Sequence, residues 1–144
     1  MTEAHVDPTR PQFEAFKALP RDGPIEMLNL VRFRETAAYE AGHPLAGKGL
    51  SGAEAYANYG RDSGPVFRRV GGRIVWRATM ETVLIGPEDE RWDAVFVARY
   101  PTAGAFLEMV TDPVYREAVK HRQAAVATSR LIRCAPGEGA DAFG

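Results

Sequence analysis

The chain is poor in the residues that announce chemistry. It has one cysteine, Cys134, among 144 residues, so neither a disulfide framework nor a cysteine-rich metal site forms within it, which suits a reducing compartment. Its three histidines, His5, His43 and His121, lie far apart and no pair has the i, i+4 spacing and accompanying acid of a metal motif, so no metal is expected. An excess of one charge is absent too: 18 basic residues face 19 acidic ones, which leaves no electrostatic footprint for nucleic acid. No run approaches the roughly 20 apolar residues of a membrane span, and MTEAHVDPTRPQ has no apolar core of a signal peptide. These absences exclude polynucleotide and membrane partners, and the expectation is a cytoplasmic protein.

What is present is enough to bury one core without a staple, since 45% of the residues are apolar. The stretch from Gly71 to Pro101 reads as a long hairpin, two β-branched and aromatic runs around Gly86, Pro87 and acids. Strict alternation puts Ile74, Trp76, Ala78, Met80 and Leu84 with Ala94, Phe96, Ala98 and Tyr100 on one apolar face, suited to packing under helices. Val75, Arg77, Thr79, Glu81, Val83 and Ile85 with Val95, Val97 and Arg99 form the other. That face is too apolar for open water, and a second copy of the sheet is its expected cover. Arg77, Glu81 and Arg99 are expected to interact there, across the hairpin or across the dimer, the acid between two cations.

Before the hairpin, Phe13, Phe16 and Leu19 recur on a short amphipathic helix, and IEMLNLVRF is apolar on both faces, as a central strand should be. Arg34 to Leu50 reads as a turn or two of helix and then the Gly-rich GHPLAGKGL, expected to be the most mobile internal stretch. It spells a phosphate-loop pattern up to Gly49, which stands where a hydroxyl residue would hold magnesium, and it lacks a preceding strand, so no nucleotide is expected. Ser51 with Glu54 is a capping box opening a helix with Tyr56, Tyr59, Val66, Phe67 and Val70 on one side and an expected kink at Gly64 and Pro65. After the hairpin, Thr102 opens a second helix, which restarts at Asp112 and Pro113 and runs to about Val126. SRLIRCA is the last strand.

The order strand, helix, strand, strand, helix, strand is the ferredoxin-like βαββαβ arrangement, an antiparallel sheet with helices on one face. The expected fold class is α+β, with an extra N-terminal helix in an extension over residues 1–23, the ferredoxin-like domain over 24–135 and a flexible tail over 136–144.

PIEMLNLVRFR, SGAEAYANYG, GGRIVW, WDAVFVARYP and DPVYREAVKHR together resemble the domain of unknown function 1330 family, of the dimeric α+β barrel superfamily. The resemblance covers roughly Pro24 to Cys134 and implies protomers paired sheet to sheet; it brings no catalytic residue and no cofactor.

Candidate ligand contacts follow from polar groups on apolar surfaces. Arg122 falls inside the stripe Tyr115, Ala118, Val119, Ala125 and Val126, so the helix aims a guanidinium at the sheet. It must meet a carboxylate, water or an anionic ligand, or bend out to solvent. Asn29 inside an apolar strand either finds a protein partner or orients a ligand carbonyl. Tyr56, Tyr59, Tyr115 and Trp76 are expected between helices and sheet, as core or as pocket wall. His121, one turn after Glu117, is either half of an exposed helix pair or a base lining the cleft. Cys134 is expected to be an inert buried thiol. The expected function is a homodimeric barrel binding a small organic molecule, an anion among the candidates. A cofactor-independent oxygenase or isomerase and a structural module without ligand are the alternatives.

Overall fold

A computed structural model describes residues 4–137, 139 and 143; the expected flexible tail falls largely outside these. The helices begin where side chains can satisfy their free N–H groups. Thr9 and Gln12 form a capping box for α1 (Arg10–Ala18), and Ser51 and Glu54 form another for α2 (Gly52–Arg69). Thr102 caps α3 (Ala103–Thr111). Asp112 ends α3 and caps α4 (Pro113–Ala125), whose first residue is a proline that needs no N–H partner. Pro65 sits inside α2, which continues through it as one helix. No helix of the described residues is long and apolar enough to cross a membrane.

Four strands, β1 (Ile25–Phe33), β2 (Arg73–Ala78), β3 (Ala94–Tyr100) and β4 (Val126–Cys134), form one antiparallel sheet in the order β2-β3-β1-β4. The fold is ferredoxin-like α+β, with both βαβ units closed across the central β1 and β3. Ile25, Met27, Ala98 and Tyr100 point to the helices and meet Val66, Val70, Met109 and Tyr115 in one core cluster. Val31, Ala55, Ala125 and Val126 form a second at the other end. α1 joins the layer through Phe16, whose ring lies 5.1 Å from that of Phe106. The segment before α1 runs along the outer edge of β4, where the Ser129 N–H donates to the His5 carbonyl at 2.7 Å.

The hairpin differs from its expectation in two ways. β2 stops at Ala78, so residues 79–93 form a long irregular connection, with Leu84 and Ile85 92% and 93% exposed. A bulge also interrupts β2: Ile74 pairs with Ala98, but Trp76 pairs with Val97 and Arg77 with Phe96, leaving Val75 unmatched. One extra residue exchanges the faces of everything after it. Arg77 therefore lies on the helix side and Trp76 on the outer face, the reverse of strict alternation. Within the protomer, Arg77, Glu81 and Arg99 do not meet across the hairpin. Arg99 pairs instead with Glu26, its neighbour across β1, at 3.3 Å.

Three further expectations are corrected. Cys134 is exposed rather than buried. β4 begins at Val126, three residues early, because α4 passes into it without a loop. No helix forms between Arg34 and Leu50; residues 40–48 instead make successive hydrogen-bonded turns, with left-handed Gly47 and Gly49.

Candidate functional site

The helices do not close fully on the sheet. A half-open cleft of about 2020 Å³ lies between all four strands on one side and α1, α2, α3 and α4 on the other, with the segment before α1 at its rim. Asn29, Tyr56, Tyr59, Tyr115 and Arg122 all line it, so five of the seven expected contacts come together. The bulge adds Arg77, which alternation assigns to the opposite face.

Arg122 is 9% exposed, yet its guanidinium meets only neutral acceptors: the Val6 carbonyl, and the Ser129 hydroxyl at 3.1 Å. No ion pair of the described residues includes it. A half-satisfied buried cation is an attractor for an anion, and guanidinium offers five N–H donors in a planar fork suited to a carboxylate. The cleft lining carries seven arginines (68, 73, 77, 116, 122, 130 and 133) against Asp7 and Asp93. Both acids are engaged: Asp7 accepts from the Gln123 amide at 3.2 Å, and Asp93 from the Phe33 N–H at 2.8 Å.

Three tyrosines supply the polar wall. The Tyr59 and Tyr115 hydroxyls lie 2.8 Å apart, and the Tyr59 ring lies 5.4 Å from that of Tyr56. Burial pushes the pKa of all three upward, and for Tyr115 the neighbouring, hydrogen-bonded Tyr59 adds to it. They are thus neutral phenols at physiological pH, able to donate to an oxygen. Asn29 donates to the Met27 carbonyl at 3.0 Å, which fixes its amide against its own strand.

Residues 45–133, more than half of the chain, match the family described as domain of unknown function (DUF1330). The chain belongs to the DUF1330 family. A crystal structure of the RPA0582 protein of unknown function from Rhodopseudomonas palustris is 58% identical to this DUF1330 chain, covers 95% of it and 100% of the other, and superposes with a TM-score of 0.87. SnoaB, a cofactor-independent oxygenase from Streptomyces nogalater, shares the fold at 17% identity, with 83% and 99% coverage and a TM-score of 0.50. An uncharacterised NIPSNAP-like domain protein from Burkholderia xenovorans does so at 16% identity, 85% and 93% coverage and a TM-score of 0.51. No curated protein matches the chain.

Two expected contacts of the DUF1330 protein lie outside the cleft. Trp76 is on the outer face, 49% exposed. His121 is buried between α2 and α4 and is not paired with Glu117, which holds Lys120 instead at 3.1 Å. Its Nε2 lies 3.1 Å from the Asp62 carboxylate and its Nδ1 lies 2.6 Å from the Tyr39 hydroxyl. A carboxylate only accepts, so Nε2 carries the proton and Nδ1 accepts from Tyr39. His43 stacks on Tyr39 at 4.5 Å between centroids, which pins the Gly-rich segment to the helices. Tyr39, His43 and Asp62 come from distant segments, so only the pairing of His121 with some acid could be suspected from sequence.

Burial lowers the pKa of His121, and His43 and Arg61 act in the same direction, while Asp62 opposes them. The folded protein therefore holds His121 neutral below the ordinary imidazole value, and the unfolded chain binds more protons there. Stability is then full above about pH 6.5 and falls as pH drops below it. Denaturant midpoints measured from pH 8 to pH 5 should decline in the wild type, and His121→Gln should flatten that decline. An equal decline in both proteins would place the titrating group elsewhere.

Proposed function

We propose that this protein is a homodimer that binds a small organic anion, a carboxylate or enolate, in the cleft between helices and sheet. The observation that carries this reading is Arg122, buried beside open volume with neutral partners only. Arg122 grips the anionic oxygens, the tyrosine hydroxyls donate to a second oxygen, and Phe96, Phe106 and Met109 receive the apolar part. The second copy covers the outer sheet face, where Trp76 and Ile132 (47% exposed) stand beside Val95, Val97, Leu28 and Leu30. Exposed Cys134 suits a reducing cytoplasm.

The cleft favours binding over acid–base catalysis. Its only histidine is exposed His5, and its two acids are held by protein donors. The oxygenase description belongs to the Streptomyces protein, which shares the fold.

A thermal-shift screen of organic carboxylates, each run beside its neutral primary amide, tests the proposal. A carboxylate at 100 times its dissociation constant should add about 2.7 kcal/mol of stability, and its amide far less. Equal shifts from the two members of every pair, or none across the carboxylates, would contradict it.

A further inference from the structure

The connection between β2 and β3 has the composition of a strand and the structure of none. Thr79-Met80-Glu81-Thr82-Val83-Leu84-Ile85 is rich in β-branched and apolar residues, yet its backbone makes no hydrogen bond with the other described residues. Its tip is nearly fully exposed at Leu84 and Ile85, and acids follow at Glu88, Asp89 and Glu90. A segment of this kind is an unpaired strand, and an unpaired strand seeks a sheet edge.

A matching edge exists on the same protein. β4 ends the sheet, and among the described residues the N-terminal segment hydrogen-bonds its outer edge at Thr128 and Ser129. Beyond them, from Arg130 to Cys134, the edge is open among the described residues. There Leu131 and Ile132 are substantially exposed, flanked by Arg130 and Arg133. Neither arginine meets a carboxylate: Arg130 lies over the Trp92 ring and bonds Ser129 and Thr128, and Arg133 lies over the Phe16 ring and bonds the Phe16 and Pro20 carbonyls. Apolar residues followed by acids on the connection thus complement apolar residues flanked by cations on the edge.

We infer that residues 79–90 form an arm that docks on β4 of a second copy, with Thr79–Ile85 adding a strand to its free edge and the acids meeting Arg130 and Arg133. The inference rests on the homodimer proposed above and specifies how its copies interlock. Met80 anchors the root of the arm, its sulfur accepting from the Trp92 N–H at 3.3 Å, but Leu84 and Ile85 at the tip are 92% and 93% exposed, so altering them leaves the protomer's own packing intact.

Disulfide trapping in the full chain, on a Cys134→Ser background, tests the arm. Val83→Cys/Ile132→Cys or Ile85→Cys/Ile132→Cys should form a covalent dimer on mild oxidation. The single variants and Ile85→Cys/Val75→Cys should not, since Val75 belongs to the opposite edge strand. Leu84→Asp/Ile85→Asp should raise the dimer dissociation constant at least tenfold by sedimentation. Trapping with Ile85→Cys alone or with Val75→Cys, no trapping in a protein that sediments as a dimer, or an unchanged dissociation constant would each overturn the arm and leave the dimer standing. A wild-type chain that sediments as a folded monomer at micromolar concentration would overturn both.

Discussion

Gly52→Ala should lower the melting temperature by about 10 °C or more, a loss of about 3 kcal/mol. Gly52 is the first residue of α2, where that helix meets the chain leaving β1 and the end of α4. A Cβ there would lie 2.1 Å from the Arg34 carbonyl oxygen, 2.8 Å from the Arg34 nitrogen and 2.9 Å from the Ala125 carbonyl oxygen. All three are backbone atoms that cannot swing aside. The Gly52 N–H also donates to the Arg34 carbonyl at 3.1 Å, so moving the backbone breaks a hydrogen bond. Gly60→Ala in the same helix is the control, since nothing lies within 4 Å of its Cβ, and it should be neutral or stabilise by up to about 1 kcal/mol. Equal melting temperatures for the two variants would mean that α2 enters the fold differently.

The second large effect concerns Arg122, where stability and binding separate. Arg122→Leu should cost about 1 to 3 kcal/mol, because the Val6 carbonyl loses its buried donor while Ser129 keeps its bond to the His5 carbonyl. Arg122→Lys should cost less and keep the positive charge, yet weaken the carboxylate found by thermal shift at least tenfold. An ammonium has three donors but no planar fork, so beside Val6 and Ser129 it has a single N–H left for the carboxylate where the guanidinium offers a bidentate pair. Undiminished binding by Arg122→Lys would remove Arg122 from the site.

How much of this was legible in sequence depended on the range of the interaction. β1 is recognisable because IEMLNLVRF is apolar on both faces, and the capping box at Ser51 and the restart at Asp112–Pro113 are local signals. Arg122 is found for the same reason, since helical periodicity alone fixes its face. The bulge at Val75 has no local mark, with no glycine or proline in RIVWRA, and strict alternation then misplaces Arg77 and Trp76 together. The arm is misread for a physical reason. Its composition favours a strand, but strand structure needs a partner, and β3 begins only at Ala94. His121 shows the same limit, because Asp62 and Tyr39 reach it through tertiary packing.

The most direct test of the anion site is the Arg122 Nε–H resonance, assigned by its absence in Arg122→Lys and followed by nitrogen-15 correlation spectroscopy as the carboxylate is added. It should shift and saturate along the same curve as the thermal stabilisation, while the matched amide leaves it in place. A resonance that stays fixed while the carboxylate binds and stabilises the protein would contradict the account.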